Sequence, residues 1–90
     1  MFGDGLAELI EEVDKCHSLL ATAKTLRMSY RYALHRITLA EERLGQPLVT
    51  RVHGGPKGGG SSEVTVFGRT LAKRYRDAQR ALAGVLSKMP

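Results

Sequence analysis

The stretch of sequence that decides the fold reads His53-Gly54-Gly55-Pro56-Lys57-Gly58-Gly59-Gly60-Ser61-Ser62. Five of its ten residues are glycine, which has no side chain to bury and loses the most backbone freedom on folding. We therefore expect no packed element within this run. Short apolar or β-prone segments flank it, from Val49 to Val52 and from Glu63 to Phe67. A flexible basic loop between two short strands is typical of the wing of a DNA-binding protein.

Three helices are predicted before this loop, because apolar residues recur there at helical spacing. The first covers about residues 5–16, with Leu6, Leu9, Ile10 and Val13 on one face. The second is short and follows Ser18, a plausible N-cap. The third follows a second N-cap, Ser29, and ends at Leu44, since Gly45 suits the left-handed residue that closes a helix. Its apolar face consists of Tyr30, Ala33, Ile37, Ala40 and Leu44.

A hairpin and a long helix complete the predicted order. The strands run from Leu48 to Arg51 and from Val64 to Val66, and the last helix covers about 66–88. Gly68 is unfavourable inside a helix, which predicts a close helix contact at that position. We therefore expect a mainly α fold with a small β-hairpin: a winged helix-turn-helix with a long C-terminal dimerisation helix. Residues 1–90 are predicted to form a single such domain, with the helix-turn-helix at about 18–45 and the wing at about 48–67.

Charge is distributed unevenly along the chain. The net charge is +5, yet residues 1–26 carry two basic and five acidic residues, whereas residues 27–90 carry twelve basic and four acidic ones. An acidic start and a basic remainder indicate one face directed at a polyanion. No apolar run approaches the roughly 18 residues that span a membrane, and the first residues lack the pattern of a signal peptide, so we expect a cytoplasmic protein without a membrane partner.

Catalytic and metal chemistry find little support. The single cysteine, Cys16, excludes an internal disulfide and argues against a four-ligand zinc site. The three histidines are spread over separate elements without ligand spacing. A phosphate-binding loop requires Gly-Lys-Ser/Thr opening a helix, whereas Gly60-Ser61-Ser62 leads into a strand. We therefore predict no enzyme activity, no metal and no cofactor.

Two longer stretches resemble known regulators. Ser29 to Ala33, Ile37 and Glu41 to Val49 resemble the recognition helix and first strand of LysR-type regulators. The glycine run and the segment from Glu63 to Leu71 resemble the N-terminal domain of molybdate-responsive ModE repressors. Two positions depart from the pattern: His17 replaces a glycine usual near the first turn, and Leu20 replaces a small polar residue. ModE repressors bind molybdate in a separate module, which we expect to be missing because the chain ends at Pro90, so molybdate binding is not carried over.

The predicted DNA-binding residues lie mainly on the third helix, whose N-terminal part is expected in the major groove. Arg31 is the first candidate for a base contact, because its guanidinium can bond guanine O6 and N7 together; the alternative is that Arg31 and Arg36 contact only phosphates. Tyr30 is interpreted as a core ring with its hydroxyl near phosphate, and Ser29 mainly as a cap. The full predicted set is Ser29, Tyr30, Arg31, Tyr32, His35, Arg36, Thr38, Arg51, Lys57 and Arg69.

The last helix carries a heptad pattern, which indicates a homodimer. The predicted interface comprises Leu71, Tyr75, Ala78, Leu82, Val85 and Met89. The alternative is that this stripe packs only on the core of its own domain.

Functionally, we expect a sequence-specific transcriptional regulator that binds double-stranded DNA, with its effector left open. The alternatives are an architectural, nucleoid-type DNA-binding protein of low specificity, a protein–protein module, and a metal or oxyanion sensor.

Overall fold

A computed structural model describes residues 3–52 and 61–89. The helices are α1 (Asp4–Cys16), α2 (Leu19–Thr25), α3 (Tyr30–Leu44) and α4 (Val66–Ser87), and the strands are β1 (Val49–Val52) and β2 (Ser61–Val64). The predicted fold class is therefore confirmed: three helices, a two-stranded hairpin and a long final helix follow one another as in a winged helix-turn-helix. The glycine-rich residues 53–60, including Lys57, lie outside the described residues.

Helix boundaries follow from local capping. The hydroxyls of Ser18, Ser29 and Thr65 accept hydrogen bonds from the backbone N–H groups three residues later, at 3.0, 3.0 and 2.9 Å. Each bond satisfies a donor that the first helical turn leaves without a partner. At the other end of α3, Gly45 adopts the left-handed conformation with φ 73°, as predicted. His17 occupies the same left-handed region with φ 56°, which glycine adopts more readily than other residues.

The core lies where α1 meets α2, α3 and the hairpin. Leu6, Leu9, Ile10 and Val13 of α1 are all at most 1% exposed, so this helix is the centre of the domain. The remaining buried apolar residues are Ala7, Leu19, Ala23, Ala33, Ile37, Ala40, Leu48, Val64 and Ala72. Most of the buried residues of α2 and α3 are small, which permits close packing of these helices in the core.

The second strand differs from its predicted position. It covers Ser61–Val64 rather than 64–66, and pairs antiparallel with β1 so that Val49 lies opposite Val64. Val66 belongs to α4 and is 77% exposed. Ser62, which the glycine-rich composition placed in an unpacked run, is 5% exposed. Its backbone N–H donates to the His17 carbonyl at 2.9 Å, and its hydroxyl accepts from the Leu19 N–H at 3.3 Å, so the strand is bonded to the α1–α2 turn.

Gly68 makes the close contact that its position in α4 predicted, although its partner is not a helix. A Cβ atom built on Gly68 would lie 2.5 Å from the Leu48 carbonyl oxygen and 3.1 Å from Val64 Cγ1. Only glycine therefore lets the start of α4 approach the backbone at the entrance to β1. The same Leu48 carbonyl accepts the Thr65 N–H at 2.9 Å, so this junction joins α4 to the hairpin.

The two halves of α4 have different surroundings. Gly68 and Ala72 are buried, and the first half packs along α1. From residue 80 to residue 89 every side chain is exposed, including Leu82, Val85, Leu86 and Met89 at 56–61%. The second half of the helix therefore extends beyond its own domain. Within residues 3–52 and 61–89, no helix is both long and apolar enough to cross a bilayer.

Candidate nucleic-acid interface

Helix α3 presents one sharply polar face to solvent. Ala33, Ile37 and Ala40 are buried at 0–3% exposure, whereas Arg31, His35 and Thr38 are exposed. A helix turns about 100° per residue, so these three exposed side chains share the face opposite the core. The chain from residue 27 to residue 40 contains three arginines and no acidic residue. The exposed face is therefore electropositive and rigidly backed by the core.

The residues at the start of α3 are only partly where we expected them. The Ser29 hydroxyl caps the helix through the Tyr32 N–H at 3.0 Å, as predicted. The Tyr30 ring was expected in the core, but it is 39% exposed, so that interpretation is wrong. Tyr30 is the first residue of the helix, and no preceding turn covers its ring. It therefore adds an aromatic surface beside the polar face.

Tyr32 and Arg36 form a pair on one flank of α3. Arg36 Nη1 donates a hydrogen bond to the Tyr32 hydroxyl oxygen, with 3.2 Å between the two atoms. Arg36 Cζ lies 5.8 Å from the centroid of the Tyr32 ring. The guanidinium reaches α1, since a Cβ atom on Gly5 would lie 3.5 Å from Arg36 Nη2. This flank of α3 therefore faces the start of α1.

Glu41 lies on the other flank of α3, and the sequence did not predict its role in positioning the site. Its Oε2 accepts the backbone N–H groups of Leu48 at 2.7 Å and Val49 at 3.2 Å. These bonds join the C-terminal part of α3 to the beginning of β1, so they set the position of the hairpin relative to α3. No local signal distinguishes Glu41 from Glu42, because the partner N–H groups lie beyond the turn that ends the helix.

The predicted contacts on the hairpin are only partly described. Arg51 is an exposed residue of β1 and lies opposite Ser62 in the strand register. Next to this pair, Glu63 Oε2 lies 3.3 Å from His17 Nδ1, which adds a polar contact between β2 and the α1–α2 turn. The base of the wing is thus attached to the helix-turn-helix at two places, through Glu41 and through His17.

Arg69 has an acidic partner within the domain. Its Nη2 lies 2.7 Å from Asp14 Oδ1 and its Nε lies 3.0 Å from Oδ2, a two-bond pairing of guanidinium and carboxylate. These hydrogen bonds hold the pKa of Asp14 below its ordinary value. Arg69 thus joins α4 to α1. Its predicted role at a DNA backbone remains a prediction.

A second set of charged contacts joins α1 to α4. Arg76 donates to both carboxylate oxygens of Glu11 at 3.0 Å, which lowers the pKa of Glu11. The Tyr75 hydroxyl donates to Asp4 at 2.6 Å, and this bond is the main reason why the pKa of Asp4 is lowered. The network fixes the first half of α4 against α1.

The predicted dimer residues therefore fall into two groups. Leu71 packs against the core, and Tyr75 is bonded to Asp4, so both contact their own domain. Ala78, Leu82, Val85 and Met89 are exposed. The heptad pattern thus continues from an intramolecular contact onto a solvent-facing apolar surface.

A cavity of about 290 Å³ lies between α1 and α4. The cations in its wall are Arg69, Lys73, Arg76 and Arg80. Each of them is ion-paired with a carboxylate, on Asp14, Glu11 or Asp77, and Lys73 and Arg80 share Asp77. Among the residues described, no three histidine, cysteine or acidic side chains are grouped so as to hold a metal ion.

Comparison with known proteins identifies the family of this arrangement. Residues 6–69 match the model of the bacterial regulatory helix-turn-helix proteins of the lysR family. The chain belongs to this family. The match begins within α1, includes α2, α3, β1 and β2, and ends in the first turn of α4. The predicted resemblance to the helix-turn-helix domain of LysR-type regulators is therefore confirmed at the level of the family.

Two relatives of this LysR-type domain extend the comparison. It is 30% identical over 86 residues to the molybdenum transport protein ModE of Azotobacter vinelandii, covering 96% of this chain and 32% of that protein. It also superposes on the crystal structure of ArgP from Mycobacterium tuberculosis with a TM-score of 0.67 at 21% identity, covering 97% of this chain and 30% of that one. The second likeness supports the fold alone. The chain spans about a third of the length of both relatives.

Proposed function

We propose that residues 1–90 form one sequence-specific DNA-binding domain that acts as a dimer on double-stranded DNA. Helix α3 enters the major groove, and the wing contacts the sugar-phosphate backbone or the minor groove. The observation that carries this proposal is the face of Arg31, His35 and Thr38. It is exposed, lies in a segment (residues 27–40) without acidic residues, and is supported from behind by buried residues of the same helix.

Arg31 is the residue we assign to base recognition. It lies in the first turn of α3, and the N-terminal part of a recognition helix reaches deepest into the groove. Its guanidinium is exposed, so it is available to bond the O6 and N7 atoms of a guanine. His35 lies one turn further along the same face and Thr38 one turn beyond it. These two residues extend the contact along the groove.

The apolar second half of α4 supports a homodimer. Ala78, Leu82, Val85 and Met89 follow one another at heptad spacing on a helix surface that the domain itself leaves open. A second copy of the helix would cover this surface and place two α3 helices on successive turns of the major groove, roughly 34 Å apart. The bound site would then be an inverted repeat.

The decisive experiment is selection of bound duplexes from a random library, followed by titrations of the Arg31→Ala variant. We expect an inverted repeat from the selection. Arg31→Ala should weaken binding to that site by about tenfold or more, with a smaller loss on random DNA and relaxed preference at one base position. Arg43→Ala is the matched control, because it removes an exposed arginine from the far end of the same helix.

Two results would count against the proposal. Equal losses on the selected and the random duplex for Arg31→Ala would leave Arg31 as a phosphate contact. Equal affinity of the wild-type protein for all duplexes would indicate an architectural protein instead. For the wing, Lys57→Ala should weaken binding to every sequence and reduce the salt slope by about 1.

A further inference from the structure

The two flanks of α3 are attached to different parts of the domain. On one flank, Glu41 bonds the backbone at the start of β1, so this flank faces the wing. On the other flank, the Arg36 guanidinium lies beside Gly5 at the start of α1. The face of Arg31 and His35 lies between the two. A duplex seated on that face would therefore meet the wing on one side and Arg36 on the other.

Arg36 is restrained without being neutralised. Its Nη1 donates to the Tyr32 hydroxyl at 3.2 Å, and its guanidinium lies over the Tyr32 ring with Cζ 5.8 Å from the centroid. None of the carboxylates in the described part of the chain forms an ion pair with it, in contrast to Arg69, Arg76 and Arg80. A neutral aromatic partner thus restricts the side chain and leaves its full charge available to an anion.

We propose that Tyr32 is a positioning residue, which holds the Arg36 guanidinium for contact with a DNA phosphate at the edge of the major groove opposite the wing. This inference rests on the proposed DNA binding by α3. It refines the predicted role of Tyr32 in DNA binding, because the tyrosine acts through Arg36 rather than by a contact of its own. The benefit of this restraint is entropic, since a long arginine side chain that is already restrained loses less conformational freedom when it binds a phosphate.

A phosphate contact has a signature that a base contact lacks. It weakens binding to all sequences alike, and its loss reduces the dependence of affinity on salt, because fewer counterions are released. A positioning residue adds a second signature. Its removal has an effect only while the residue that it positions is present, which a double-mutant cycle measures directly.

The test compares Tyr32→Phe, Arg36→Gln and the double variant of the 90-residue chain. Fluorescence anisotropy titrations use a random-sequence duplex and a library-selected duplex at several salt concentrations. Arg36→Gln should reduce the salt slope by about 0.9 on both duplexes. Tyr32→Phe removes only the hydroxyl acceptor and should weaken binding about threefold on both. In the Arg36→Gln background, Tyr32→Phe should have no further effect. Tyr32→Leu, which also removes the ring, should lose more than Tyr32→Phe.

Arg43→Gln is the control for a change in net charge on the same helix, and circular dichroism melts confirm that each variant is folded. An unchanged affinity for Tyr32→Phe and Tyr32→Leu would overturn the proposal. An equal loss from Tyr32→Phe with and without Arg36 would also overturn it, and would make Tyr32 a direct contact. Neither result concerns the wild-type protein, so the proposed DNA binding by α3 would stand in both cases. Absence of salt-dependent binding by the wild type would instead refute the proposed function itself, together with the inference built on it.

Discussion

Replacement of Gly68 by alanine tests the junction between α4 and the hairpin. The added Cβ would lie 2.5 Å from the Leu48 carbonyl oxygen, 3.3 Å from the Leu48 carbonyl carbon and 3.1 Å from Val64 Cγ1. The first of these atoms belongs to the backbone and accepts the Thr65 N–H, so it cannot move away without losing that bond. The helix or the hairpin must shift instead.

The expected magnitude combines two opposing contributions. Alanine is favoured over glycine in a helix by at most about 1 kcal/mol, which stabilises the variant. Overpacking of a tight site costs typically about 1–3 kcal/mol, and the loss of the Thr65 bond adds about 1 kcal/mol. We therefore expect a net destabilisation of about 2 kcal/mol. For a domain of this size that corresponds to a decrease in Tm of about 10 °C.

Gly84 provides the matched control within the same helix. A Cβ atom built there meets nothing within 4 Å, so Gly84→Ala has only the helix-propensity gain and should raise Tm by a few degrees, roughly in proportion to that gain. Both variants are melted by circular dichroism at one protein concentration, because self-association makes Tm depend on concentration. A Gly68→Ala variant as stable as the wild type would refute the reasoning.

Two further predictions concern the contacts that hold the hairpin and α4 in place. Glu41→Ala should lower the free energy of unfolding by about 1–3 kcal/mol in urea titrations, because two backbone N–H groups lose their acceptor. Glu42→Ala, on the exposed surface, should have little effect. Equal losses of stability in the two variants would contradict the role of Glu41. The lowered pKa values of Glu11 and Asp14 mean that their stabilisation is present above the ordinary carboxyl pKa and is lost as the pH falls below about 4. The variant carrying Glu11→Gln and Asp14→Asn should therefore lose less stability than the wild type between pH 6 and pH 3 in urea titrations, and parallel losses would count against these ion pairs.

Much of the fold was predictable because its signals are local. Ser18 and Ser29 cap the helices that follow them, and Gly45 closes α3, since each acts within a few residues of its own position in the chain. The same holds for the spacing of Leu6 and Ile10, which reports the buried face of α1. The polar face of α3 followed from this periodicity too.

The features that the sequence did not reveal depend on distant partners. Ser62 is part of a strand because its N–H and hydroxyl bond the α1–α2 turn, although the composition around it is that of a loop. Glu41 is important because the chain returns past the end of α3 and presents two N–H groups to it. Tyr30 fits the buried period but is the first residue of α3, beyond the edge of the core. Periodicity gives the direction of a side chain, and not whether anything covers it.

The pairing of Val52 with Ser61 has a consequence for how this hairpin tolerates change. Glu41 bonds the backbone at the start of β1 through Leu48, and His17 bonds β2 through Ser62. Contacts outside the eight residues 53–60 therefore hold Val52 and Ser61 together. The closure entropy varies only with the logarithm of loop length, and replacing eight residues by two alters it by about 1 kcal/mol. We therefore expect turns of other lengths, or a reporter sequence, to be tolerated between Val52 and Ser61 with the helical scaffold intact.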